Sequence, residues 1–270
     1  MNYQGSSPLN SFKNLPIVVK NLLIINVLMF GLALLFQSQF GIDLNDKLGM
    51  HYPFSPSFRP HQVITYMFMH DISGPYHLFF NMFALWMLGS TLERVWGPKR
   101  FLIYYMVTGI GAAVCHYTVV HFQIQESLNL INEYISNPSP ASFEAFMSSK
   151  GAYVPSQEVL SQYNTKETLD FMRQYRLSML NGPTMVGASG AIFGILLAFG
   201  VLFPNTELLF MFIPIPIKAK WFVLGYGAFE LFSGLKGSAG DNIAHFAHLG
   251  GMLFGFILLK YWQKQKNSFY

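Results

Sequence analysis

The sequence predicts an all-α, polytopic membrane fold of six transmembrane helices, with a long polar insertion between the third and the fourth. Three observations carry the prediction. Of the 270 residues 52% are hydrophobic and only 11% charged, with a mean hydropathy of +0.33, whereas a soluble domain carries roughly a quarter charged residues. The charges gather between six apolar runs, each near the ~20 residues that cross a bilayer as a helix. Between the third and fourth runs, from His121 to Pro183, the chain turns polar. The composition excludes other classes. A single cysteine, Cys115, allows neither an intrachain disulfide nor a thiolate metal cluster, and no basic run is interleaved with aromatics, so nucleic acid is not an expected partner.

The start, MNYQGSSPLNSFKNLP, has no short apolar core with a small-residue cleavage site, so the first hydrophobic segment is expected to be retained. Residues 1–15 form a short N-terminal tail. The first span runs from about Pro16 to Phe36, with Lys20 near enough to its end to reach the interface. Gln37 to Gly74, with Pro53, Pro56 and Pro60 among aromatics, is too apolar for a solvated linker and too broken to span, and is read as a structured loop partly in the interface.

The second span, Tyr76 to Val95, begins with His77 and Asn81, one helical turn apart and on one face. Taken alone, such a pair bridges helices more often than it does chemistry. Glu93, near the other end beside Arg94, Lys99 and Arg100, is expected to pair locally in a structural role. The third span covers about Phe101 to Val120. In the insertion that follows, Val159, Tyr163, Leu169, Met172 and Leu177 fit short amphipathic helices.

The fourth span, Met185 to Phe203, opens with Ser189 between Gly187 and Gly190. Glycines there let the backbone turn and another chain approach, which a nucleophile needs, although Gly190 with Gly194 also fits plain helix contact. An interfacial piece broken by Pro214 and Pro216 precedes the fifth span, Ala219 to Leu235. Its Glu230 fits a hydrogen bond to a neighbouring helix better than a transport carboxylate. The sixth span, Asn242 to Trp262, places His248, Gly251 and Gly255 on one face, so the helix can lie close to a partner while the imidazole reaches across. Residues 263–270 are a C-terminal tail. A metal reading of His245, His248 and His77 lacks the glutamate base of HExxH and a completing carboxylate.

Six spans put both termini on one side. If that side is the cytoplasm, most Lys and Arg residues outside the insertion fall there, and only Lys47, Arg59 and Lys236 fall on short outer loops. His77, Asn81, Ser189 and His248 then lie within two turns of the outer face, at most about 10 Å deep by helical rise. An active site opening to outside water requires such a shared depth. Ser189 is the expected nucleophile and His248 the general base, with His77, Asn81 and the Ser189 backbone N–H as oxyanion donors.

These residues carry a resemblance. GASG at the fourth span, AHLGGMLFG in the sixth and HLFFN in the second resemble the rhomboid family of intramembrane serine proteases. GSTLERVWG is similar to its GxxxExxxG pattern at Gly89, Glu93 and Gly97, and FRPHQ to its first-loop WR motif, with Phe58 in place of Trp. The resemblance implies a six-helix rhomboid-type bundle over residues 16–262 and a dyad of Ser189 and His248. It further implies oxyanion stabilisation by His77 and Asn81, Phe193 packed on the base, and cleavage of transmembrane protein substrates in the lipid bilayer without cofactor or metal. The setting expected of it is a bacterial cytoplasmic membrane. The insertion at 121–183 departs from the pattern and inherits no role. Two other classes stay in view. An inactive relative that only binds membrane proteins has no need of both Ser189 and His248, and a transporter needs an ionisable path of which Glu230 is the one sign.

Overall fold

A computed structural model describes residues 14–151, 166–182, 184–210, 213–236 and 245–265. The chain is mostly helical. Helix α1, Ile17–Phe40, is an unbroken apolar run ended by Gly41, whose left-handed backbone (φ 64°) lets its N–H turn back to the Gln37 carbonyl. It outlasts the expected first span by four residues. Val19, Leu22 and Ala33 are buried, while Ile24, Ile25, Val27, Leu28 and Leu35 are exposed, the pattern of a helix whose outer surface meets lipid rather than water.

The expected loop from Gln37 to Gly74 is ordered into short pieces: α2, Leu44–Leu48, capped by the Asp43 side chain, and α3, Gln62–Thr65, which tightens into a 3₁₀ turn at Tyr66–Phe68. The second expected span is helical from Tyr76 to Trp96, but not uniformly. Helix α4, Tyr76–Ala84, passes through a π turn at Leu85–Gly89 into α5, Ser90–Trp96. Glu93 does not pair locally, as expected from its basic neighbours. Its two carboxylate oxygens accept the backbone N–H groups of Val18 (2.9 Å) and Val19 (2.8 Å), donors that the first turn of α1 cannot satisfy itself.

Helix α6, Pro98–Ser136, runs well past the expected end of the third span at Val120, because no glycine or proline interrupts the chain between Tyr117 and Ser136. The later helices are α7, Pro140–Ser149, α8, Lys166–Asn181, α9, Ser189–Leu202, α10, Ala219–Lys236, and α11, His245–Lys264. By length and composition alone, α1 and α6 are apolar enough to cross a membrane. The other expected spans fall on helices that are shorter, divided by the π turn or more polar. Residues 242–244, expected to open the sixth span, lie outside the described residues.

One element departs from an all-α chain. Glu207–Phe210 (β1) and Ile213–Lys218 (β2) pair antiparallel, with Leu208 opposite Ile217. The alternation Ile-Pro-Ile-Pro-Ile is compatible with it: the β-branched residues favour an extended chain, and a two-stranded ribbon has free edges on which proline's missing N–H is tolerated.

The chain forms two compact units. One holds the chain up to Met50, Arg59–His116 and everything from Met185; the other holds His51–Phe58 and Tyr117–Thr184. The second has its own core, in which Ile131, Tyr134, Phe143, Phe146 and Met172 are buried together, with Leu169 packed against them. Ser139 and Ser142 form a capping box at the start of α7. The loop at 51–58 is tied into this unit by Ser55 Oγ to Asn181 Oδ1 (2.6 Å) and by the Tyr52 hydroxyl to His121 Nδ1 (2.6 Å). Leu177 is exposed, and Val159 and Tyr163 lie outside the described residues.

Candidate active site

In the first unit α9 and α11 lie backbone to backbone. A methyl group added at Gly251 would stand 2.8 Å from the Gly190 carbonyl carbon and overlap its oxygen, so only glycine permits this approach. The same helices carry the two candidate reactive groups. Ser189 is the first residue of α9, and Gly187, two residues before it, holds φ at 121°, open to glycine but not to other residues. The turn is fixed by the Gly187 N–H donating to the Tyr66 carbonyl (3.0 Å).

The Ser189 Oγ lies 2.9 Å from Nε2 of His248. His248 is buried, and the Phe193 ring, one turn beyond Ser189, stacks on the imidazole at 4.0 Å between centroids with 4° between planes. Stacking fixes the plane of the imidazole, so Nε2 has one direction to point. Tyr226 packs behind Phe193 at 5.0 Å.

His77 lies on the other side of the serine turn. A methyl at Gly187 would fall 2.9 Å from both Cε1 and Nε2 of that ring and 3.6 Å from Ser189 Oγ. Asn81 is buried one turn further along α4, and its Nδ2 is 3.1 Å from Nε2 of His70. His70 in turn sets its ring edge-on to His77 at 5.0 Å. Burial first, then the neighbouring His77, lowers the His70 pKa to about 3. Neutral at ordinary pH, its Nε2 can accept one amide hydrogen of Asn81 and leave the other for a ligand. Ser189, His248 and His77 thus converge, while Asn81 joins them through His70. The sequence reading passed over His70. The one available signal was its place just before the second span, in the stretch MFMHDISGPYH.

On the far side of His248 the structure assembles a group that spacing did not connect. Glu230 of α10 places Oε2 2.6 Å from Nδ1 of His245 and 3.0 Å from Nδ1 of His248. The three are buried, and their ligand-type atoms lie within 4.8 Å of one another, close enough to hold a metal ion. This is not the metal set considered from the sequence: Glu230 takes the place given there to His77.

The helices and the serine–histidine contact define a class, a helical membrane protein in which a serine and a histidine from abutting helices meet. The rhomboid domain model matches residues 57–124 and 156–264, and the chain belongs to the rhomboid family, whose members are integral membrane proteins. It is 41% identical to the rhomboid protease GluP of Bacillus subtilis over 44 residues, 16% of this chain and 9% of that protein. It is also 26% identical to rhomboid protein 1, mitochondrial, of Saccharomyces cerevisiae over 194 residues, 71% of this chain and 40% of the relative. The chain therefore spans less than half the length of either relative.

Proposed function

We propose that the protein is an intramembrane serine endopeptidase that cleaves single-span membrane proteins near the outer membrane face. The 2.9 Å contact between Ser189 Oγ and His248 Nε2 carries the reading. In the reaction His248 Nε2 takes the hydroxyl proton as Ser189 Oγ bonds to the scissile carbonyl carbon, and the carbonyl electron pair moves onto oxygen. The Ser189 N–H, His77 and Asn81 donate to that oxyanion. When the intermediate collapses, the C–N bond breaks and the leaving amine takes the proton from Nε2. A water, deprotonated by the same nitrogen, then hydrolyses the acyl-enzyme and restores the serine.

Six spans are read here with both termini in the cytoplasm of a bacterial cell. The excess of Lys and Arg at the ends assigned to that side supports this orientation. The insertion at 121–183 then lies outside, where it influences which substrates are admitted. The peptide bond must reach Ser189 in extended form, so substrates are expected to have weak helix formers at the outer end of the span. The direct test incubates the purified protein with a generic single-span substrate and maps the products by mass. Ser189→Ala and His248→Ala are each expected to abolish cleavage in a protein that still folds, and a chelator to leave it intact. Undiminished cleavage by Ser189→Ala would overturn the assignment.

A further inference from the structure

We propose that Glu230 is a positioning residue for His248, so that the reactive line runs from Ser189 through the imidazole to a buried carboxylate, with His245 holding that carboxylate in place. The inference deepens the proposed function and rests on it. Three helices meet at this line: α9 supplies the serine, α11 both histidines and α10 the carboxylate.

The proton inventory carries the argument. A carboxylate oxygen accepts and does not donate, so a nitrogen held against it carries the hydrogen. Oε2 of Glu230 faces Nδ1 of His245 at 2.6 Å and Nδ1 of His248 at 3.0 Å, which favours the Nδ1–H form of both rings. For His248 this leaves the lone pair on Nε2, the atom 2.9 Å from Ser189 Oγ. That is the form a general base needs, and Phe193 fixes the ring plane but is indifferent to which nitrogen holds the hydrogen. The Nδ1–H of His248 is not aligned as a hydrogen bond to Oε2. The carboxylate therefore acts on this ring mainly through charge, most strongly when the serine proton has arrived and the ring is an imidazolium.

The distances decide against an ion held among the same atoms. A tetrahedral zinc with ligands at about 2.0–2.1 Å separates those ligands by about 3.3 Å from one another. At 2.6 Å, His245 and Glu230 are closer than that and within the range of a charge-assisted hydrogen bond. A carboxylate within a membrane-embedded helix is also costly unless paired, and His245 supplies the pairing.

Among the described residues, the other ionisable groups facing this assembly are His77 from α4 and His116 from α6, both near enough to interact with His248, and Tyr226 beside Glu230 on α10. None is altered in the test. The full chain in detergent micelles is assayed on a single-span substrate from about pH 5 to about pH 9, the range in which an imidazole titrates. Glu230→Gln keeps the side-chain shape and removes the charge. It is expected to lower kcat about 10–100-fold with KM unchanged, less than the ~10⁴ lost with an aligned triad carboxylate. It should also move the acid limb of the profile down by about one pH unit, because an imidazolium without its counter-charge loses its proton more readily. His245→Phe should move the limb the other way, since Oε2 no longer shares its charge with a second N–H. That variant keeps the Glu230 carboxylate in the chain and reads its effect on His248 if Glu230→Gln does not fold. An acid limb that stays fixed in the folded variants, whatever happens to kcat, would reduce Glu230 to packing and overturn the proposal. So would activity that zinc suppresses and a chelator restores, with both effects lost in Glu230→Gln. Wild-type cleavage unaffected by Ser189→Ala would instead strike at the protease reading itself.

Discussion

Gly251→Ala isolates the approach of α9 to α11 from the chemistry those helices carry. The added methyl would overlap the Gly190 carbonyl oxygen and lie 2.8 Å from its carbon, and backbone atoms cannot swing aside as a side-chain tip can. Relief needs the helices to separate by on the order of 1 Å, with an overpacking cost of about 1–3 kcal/mol. The 2.9 Å contact from Ser189 to His248 spans the same interface. Opening it by that amount takes it to about 4 Å, outside hydrogen-bond range. Displacement on this scale costs about 100-fold in rate, so kcat should fall by about that factor, with a lower apparent Tm in detergent. Gly225→Ala is the control, since nothing stands within 4 Å of a methyl there, and it should leave both unchanged. The assay pairs kcat on a single-span substrate with the labelling rate of Ser189 by a fluorophosphonate, which needs the base but no substrate helix. Wild-type kcat and labelling in a folded Gly251→Ala protein would refute the claim that this backbone approach sets the dyad distance.

Asn81→Ala should lower kcat without eliminating cleavage, by about 3 kcal/mol, the usual worth of one oxyanion donor; a raised KM at unchanged kcat would assign Asn81 to substrate binding instead. Phe193→Ala removes the ring stacked on His248 and should cost about 0.5–1.5 kcal/mol in kcat, read beside Phe193→Tyr, which keeps the ring. Glu93→Gln leaves one acceptor for the two N–H groups of Val18 and Val19, and should lower stability by about 1–3 kcal/mol, measured as apparent Tm, with kcat per folded molecule unchanged.

Local spacing made much of this legible. Hydrophobic length located helices at or near each expected span, and the glycines beside Ser189 and His248 marked two helices able to touch. What stayed hidden was carried by pairings between distant residues. The partners of Glu93 lie 75 and 74 residues earlier, and its basic neighbours pointed to a local ion pair instead. Glu230 bonds the neighbouring helix through His245, as expected, but nothing in the spacing of His245 and His248 shows that both rings meet one oxygen. His70 sits in a loop, where no periodicity predicts its bearing on Asn81. The pairing of β1 with β2 was obscured by Pro214 and Pro216, read as breaks in an interfacial piece although proline is compatible with the free edge of a ribbon. The run to Ser136 was missed because polar residues end a membrane span without ending a helix.

The Glu93 carboxylate at the head of α1 also has a consequence in time. Val18 leaves the ribosome 75 residues before its acceptor does, an interval of about 4–15 s at ordinary rates of synthesis. During that interval α1 can form and enter the bilayer, since its other hydrogen bonds are internal, but the N–H groups of Val18 and Val19 have only water or lipid headgroups to satisfy them. Those two donors gain their protein acceptor only when α5 arrives with the Glu93 carboxylate. The bonds that tie α1 to α5 can therefore close only after both helices have been synthesised.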